Sequence, residues 1–174
     1  MTGKEFLNAV ANGETDLLQT FLDVLRETGA DHCVIGGLAV NAYTEPVVSL
    51  DLDVVVATDR IDGVAEAAAD RGMKVERFPH SVNLAAPGSD LRIQLQTDPR
   101  YQDFIPRAVE REVLGYPLRV AAVEDVLQGK LWAYQDESRR GSKRQKDLAD
   151  IARLVESRPD LEPRLPAPVR DRIL

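Results

Sequence analysis

Two carboxylates, Asp51 and Asp53, stand two residues apart in the apolar run VVSLDLDVVVA. On a β-strand that spacing sends both side chains to one face. Ser49 shares the face, while Leu50, Leu52 and Val54 point the other way, into a core. Like charges so placed repel unless a cation or a proton joins them. Hard oxygen ligands of this kind suit Mg²⁺, which keeps waters and substrate phosphates in its shell. Upstream, Gly36 and Gly37 interrupt the apolar stretch HCVIGG. Glycines at a strand-to-helix corner permit close backbone approach, and the next helix offers free N–H groups to an anion. A phosphate cradle beside a metal-binding acid pair is the machinery of phosphoryl or nucleotidyl transfer.

The elements that must position these residues follow from periodicity. TDLLQTFLDVLRETGA predicts an amphipathic helix with Leu17, Leu18, Phe21, Leu22 and Leu25 on one side, capped by Thr15 or Asp16 and closed by Gly29. HCVI predicts a short strand, LAVNAY about two turns of helix stopped by Pro46, and VVSLDLDVVVA a second strand. A helix over RIDGVAEAAADRG and a hairpin over VNLAAPGSDLRIQLQ come next, with Pro87 to Asp90 as the turn. YQDFIPRAVERE reads as a short helix and YPLRVAA as a strand. Two helices, VEDVLQGKLWAYQDE and QKDLADIARLVES, form the C-terminal third before a proline-broken tail. The order predicts an α/β (α+β) fold, a small mixed sheet flanked by helices, with a helical C-terminal extension. Residues 1–120 would be the core and 121–174 the extension packed on it, or the whole would be one compact domain.

Composition narrows the classes. The chain has 174 residues, 44% of them apolar, enough to bury a core. No stretch is apolar for the length of a membrane span, and the N-terminus lacks the pattern of a secretory signal. One cysteine, Cys33, excludes an internal disulfide and points to a reducing, cytoplasmic setting, with Cys33 itself read as a buried strand residue. A net charge of −7 excludes a general nucleic-acid coat. Against it, RRGSKRQK concentrates Arg139, Arg140, Lys143, Arg144 and Lys146 without an acid. That segment is either a solvated loop or a local contact for phosphates.

GGLAVNAYTEPVVSLDLDVVV resembles the nucleotidyltransferase signature of the DNA polymerase β-like superfamily: a Gly-Gly or Gly-Ser corner, a spacer, then D-x-D on an apolar strand. Here 13 residues separate Gly37 from Asp51. VEDVLQGKLWAY followed by RQKDLADIARL is similar to the AbiEii-type nucleotidyltransferases, toxins of type IV toxin–antitoxin pairs. The resemblance covers roughly Asp31 to Leu154. It implies Gly36 and Gly37 as the phosphate corner, Ser49 on the triphosphate and Asp51 and Asp53 as ligands of Mg²⁺ or Mn²⁺. It also implies Lys130 as the helix lysine and Asp147 as a later acid. The substrate would be an NTP, the acceptor a hydroxyl of RNA or tRNA reached through the basic segment, and a cognate antitoxin the partner.

The residues themselves fit these roles. Lys130 lies one turn after Val126 at the border of the apolar stripe, where a stem can be buried and the ammonium turned inward. Asp147, one turn before Ile151, also borders a buried face, in what reads as the first turn of its helix, where an acid is favoured by the dipole alone. A third carboxylate of the superfamily belongs on LRIQLQ, and Gln94 stands there. Glutamine can ligate through its carbonyl but cannot be a base. Either Asp147 serves instead, or the acceptor deprotonates unaided, or the enzyme is weakened. The rivals are a small-molecule, antibiotic-type nucleotidyltransferase and a nucleotide-binding regulatory protein. Trp132 reads as a packing anchor or a base-stacking surface, His80 as a polar strand end or a cleft residue, and Asn41 and Tyr43 as core or nucleotide contacts.

Overall fold

A computed structural model describes residues 2–13 and 16–174. Seven strands form one mixed sheet in the order β3-β4-β5-β2-β1-β7-β6. They are β1 (His32–Ile35), β2 (Asp51–Val56), β3 (Lys74–Phe78), β4 (Ser81–Ala85), β5 (Arg92–Gln96), β6 (Val109–Val113) and β7 (Tyr116–Val120). The helices are α1 (Gly3–Val10), α2 (Leu17–Thr28), α3 (Gly36–Asn41), α4 (Ile61–Asp70), α5 (Val123–Gln135), α6 (Gly141–Ser157) and α7 (Ala167–Ile173). β2 runs antiparallel to β1 and parallel to β5, whereas β1 runs parallel to β7.

Burial follows the alternation expected of β2. Leu52 and Val54 are fully buried, as are Val55 and Val56 where the strand dives deeper. Across the sheet, Ile93 and Leu95 of β5 and Val82 and Leu84 of β4 continue the same apolar floor. One hydrophobic cluster runs from Leu18 and Phe21 of α2 through these strands to Val126, Leu127, Ile151 and Leu154 of α5 and α6. Asp16 caps α2 by accepting from the Gln19 N–H at 3.0 Å, and Gly29 closes it in the left-handed region, at φ 63°. Thr15, the alternative cap, lies outside the described residues.

Four elements differ from the sequence expectation. α1 forms on a capping box between Thr2 and Glu5, a local signal hidden by the short segment. β3 is an edge strand whose residues all lie near solvent, so KVERF shows no buried period. The expected helix over YQDFIPRAVERE is a 3₁₀ segment, Pro99–Arg107, that gives way after Pro106 to β6. α6 begins at Gly141, so most of the basic segment is helical rather than loop, and Asp147 sits in the second turn rather than the first. The tail folds as a 3₁₀ turn, Pro159–Arg164, and then α7, burying Leu161, Leu165 and Val169.

Cys33 has no exposed surface, and burial pushes its thiol up to about 12, with the Asp125 carboxylate adding to the effect. A thiolate-directed exchange reagent at mildly alkaline pH is expected to leave the native protein unmodified and to label it at once in denaturant. Equal labelling rates in both states would contradict this placement. No described helix is long and apolar enough to cross a membrane.

Candidate active site

β1 and β2 pair so that Ile35 faces Asp53, which brings the glycine corner against the second carboxylate. Gly36 takes φ +72°, and a Cβ built there would overlap a carboxylate oxygen of Asp53 and lie 3.2 Å from its Cβ. Position 36 therefore needs glycine twice over, for its left-handed backbone and for the side chain it faces. Gly37 stands over Ser49, whose Oγ would lie 3.4 Å from an added Cβ.

Asp51 and Asp53 both face a cleft of about 720 Å³, a size suited to a nucleotide. Asp51 pairs in register with Arg92, whose Nε reaches its carboxylate at 2.9 Å. Arg92 is mostly exposed, so this pairing is weak and exchangeable. Asp53 pairs in register with Gln94, which also lines the cleft. Burial pushes the Asp53 carboxyl above the usual carboxylate range; the Lys130 ammonium opposes this and the Asp51 carboxylate adds to it. Among the described residues, no side chain donates a hydrogen bond to Asp53, and no third His, Cys, Asp or Glu completes a cluster with the pair. Two hard oxygen donors, one desolvated and unpartnered, fit a divalent cation that keeps waters and phosphate oxygens in its remaining positions.

Ser49 departs from its expected place. β2 begins at Asp51, and Ser49 is buried before it, donating to the Asp51 carbonyl at 3.2 Å. It lies outside the cleft lining and shapes the approach to β2 instead. The preceding loop is pinned by Asn41, which donates to the Val47 carbonyl at 2.6 Å and accepts from the Val47 N–H at 3.0 Å. Tyr43 donates to the Ala121 carbonyl at 2.8 Å. Asn41 and Tyr43 thus serve packing and do not line the cleft.

α5 and α6 supply the opposite wall. Lys130 lies 3.2 Å from Asp147 and 2.9 Å from Asp150, all three buried. The other Asp147 oxygen accepts from Arg139 Nε at 2.7 Å. Both Asp147 oxygens are therefore committed to cations, which makes it an anchor for Lys130 and Arg139 and removes it as a free base. Asp150 Oδ2 meets Lys130 off the hydrogen-bond direction, while Asp150 Oδ1 accepts from Arg153 at 2.8 Å. Lys146, one turn before Asp150, makes no ion pair with it; the partners of Asp150 are Lys130 and Arg153. Arg153 extends the chain by donating to Asn41 Oδ1 at 3.1 Å, Thr44 Oγ1 at 2.9 Å and the Glu45 carbonyl at 2.8 Å. Helix α6 is thereby braced against the loop that leads into Asp51.

Trp132 also lines the cleft. It stacks on Phe104 with ring centroids 5.7 Å apart, meets Tyr101 edge-on, and carries the Arg100 guanidinium 4.7 Å from its centroid. His80 faces the cleft as well. Sequence reasoning missed the Arg153 brace because its partners are more than 100 positions away; only the Asp150–Arg153 spacing of three hinted at it. Arg139, one of the basic residues expected to contact phosphates, lines the cleft and is also a counter-ion of Asp147.

A family model described as the nucleotidyl transferase AbiEii toxin of type IV toxin–antitoxin systems matches residues 26–171. No curated protein sequence matches the chain. Solved structures share the fold at low identity. The antibiotic-resistance factor ANT(2'')-Ia is 13% identical with a TM-score of 0.60, over 85% of this chain and 90% of that one. The lincosamide antibiotic adenylyltransferase LnuA is 13% identical with a TM-score of 0.56, over 79% of this chain and 95% of that one. An antigenic nucleotidyltransferase-like protein from Paracoccidioides brasiliensis is 18% identical with a TM-score of 0.53, over 91% of each chain.

Proposed function

Since the chain belongs to the AbiEii nucleotidyltransferase family, we propose that it moves a nucleoside monophosphate from an NTP to a hydroxyl of an RNA acceptor, such as a tRNA end. The observation that carries this reading is the Asp51–Asp53 pair, with Asp53 desolvated, unpartnered and set against Gly36. Mg²⁺ or Mn²⁺ held by these two carboxylates would neutralise triphosphate charge and polarise the α-phosphoryl group. The Gly36 corner leaves room for phosphate oxygens, and Lys130, fixed by Asp147 and Asp150, presents its ammonium to them. Attack forms the acceptor O–P bond, breaks the α–β phosphoanhydride and releases pyrophosphate; the hydroxyl proton passes to solvent, since Gln94 can orient the hydroxyl but cannot take its proton.

The basic segment narrows as an RNA contact. Arg139 is held by Asp147, and Arg144 donates to the Tyr134 carbonyl at 2.8 Å. Arg140, Lys143 and Lys146 stand exposed at the start of α6, with Lys143 on the cleft rim. Replacing these three with Gln is expected to lower the slope of log affinity against log salt by about 2 for single-stranded RNA. An unchanged slope would remove this segment from the interface.

The reading extends to a toxin held in check by a cognate antitoxin in the cytoplasm. Induced expression of the wild type is then expected to arrest growth, and that of Asp51→Ala to be harmless. A second reading, a weakened nucleotide-binding regulator, is favoured by Gln94 alone. Pyrophosphate release from the four NTPs with Mg²⁺ and total RNA separates the two. Release by the wild type and not by Asp51→Ala supports transfer; silence from both supports the regulator.

A further inference from the structure

The sheet continues past the carboxylates into a face that the mechanism above leaves unused. Asp53 pairs with Gln94, Gln94 with Asn83, and Asn83 with Glu76, so one transverse row crosses β2, β5, β4 and β3. The next row on the same face runs through Gln96, Ser81 and Phe78. The reverse side of these strands is the core, through Val82, Leu84, Ile93 and Leu95, so the face is held rigidly. Asn83, Gln94 and Gln96 line the cleft, and Phe78, at the outer edge, is half exposed.

In-line displacement decides what this face is for. The acceptor must lie on the far side of the reacting phosphorus from the leaving pyrophosphate. Gly36 and Lys130, the phosphate-binding groups proposed above, lie on the β1 and α5 side of Asp53. The acceptor then lies over β5, β4 and β3. We propose that this face seats the terminal nucleotides of a single-stranded RNA acceptor, with the Asn83 and Gln94 amides on base edges and 2′-hydroxyls, Gln96, whose Oε1 accepts from the Asp98 N–H at 3.0 Å, at their border, and Phe78 as a stacking platform. The inference rests on the RNA reading given above.

Size and chemistry agree. Three strand spacings carry β2 to β3, about 14 Å, or roughly four stacked nucleotides at ~3.4 Å each. Amides both donate and accept, as exposed base edges require, and an aromatic face stacks on any base. Arg92 and Arg100 at the cleft margin are each paired with a carboxylate, Asp51 at 2.9 Å and Asp98 at 3.0 Å, so neither adds an unbalanced charge to the face. Glu76 at the margin is paired with Lys74 at 2.9 Å. The charged edge of β3, Lys74, Glu76 and Arg77, discourages pairing with a second copy.

Anisotropy titration of a short fluorescent single-stranded RNA, alongside NTP affinity and transfer to the same RNA, tests the proposal. Phe78→Ala is expected to weaken RNA binding roughly tenfold, with NTP affinity unchanged and Phe78→Trp restoring RNA affinity. Asn83→Ala is expected to weaken RNA binding while sparing NTP binding. Wild-type RNA affinity in both alanine variants, with transfer to RNA intact, would overturn the acceptor face and leave the proposed function standing. A wild type that neither binds nor modifies RNA, yet releases pyrophosphate with another acceptor, would overturn the RNA reading and this inference together. Concentration-dependent dimers abolished by Phe78→Ala would instead assign the edge to a second copy and also overturn it.

Discussion

Asp53→Asn is expected to abolish nucleotidyl transfer, by ~10³-fold or more on the scale of losing a main electrostatic element of phosphoryl transfer, while raising the melting temperature of the metal-free protein. The two effects share one cause. Burial and the neighbouring Asp51 carboxylate make charge at position 53 unfavourable, and Lys130 compensates only in part. Asparagine keeps the shape and removes the charge, so the fold gains what the site loses. Asparagine also keeps the side-chain shape that faces Gly36, and the melt itself separates loss of chemistry from loss of fold. Initial rates with labelled NTP and thermal melts in chelator provide the check. An inactive variant with a lowered melting temperature would show that Asp53 is a structural residue.

Asp147→Ala is expected to cost both stability and activity. It leaves Lys130 and Arg139 without the carboxylate that sits between them, in a region where Asp147 is 1% exposed. Removing one partner of a buried ion pair costs about 3–5 kcal/mol, which for a chain of this size is about 6–20 °C in melting temperature. Transfer falls because Lys130 is no longer fixed at the cleft wall. The pair Lys130→Met with Asp147→Leu is expected to recover part of the stability and none of the activity, since apolar isosteres replace buried ions at little cost. Urea melts of the single and double variants decide this. An Asp147→Ala protein as stable as the wild type would contradict the placement of Asp147 as anchor, and an active double variant would remove Lys130 from the mechanism.

The parts of the site legible in the sequence are those fixed by local rules. D-x-D on an apolar strand specifies a shared face, and Gly36 declares a corner before any coordinates exist. Lys130 and Asp147 were readable as borders of buried stripes, and α5 and α6 bring them together. Ser49 shows where the rule stops: alternation holds only inside a strand, and β2 starts two residues later. β3 and β6 escaped because edge strands lack a buried period, and β6 lay hidden behind Pro106 in an apparent helix. The Arg153 brace and the two rows, Asp53 to Glu76 and Gln96 to Phe78, depend on register and on contacts distant in sequence, which no local pattern encodes.

The most direct test of the central claim is transfer of label from α-phosphate-labelled NTPs to RNA by the wild type and Asp51→Asn. Asp51→Asn retains a side chain that can still meet Arg92 but weakens the carboxylate pair. Mg²⁺-dependent label is expected in RNA from at least one NTP with the wild type, and background label with the variant. Equal labelling by both, or labelling that persists in excess chelator, would contradict it.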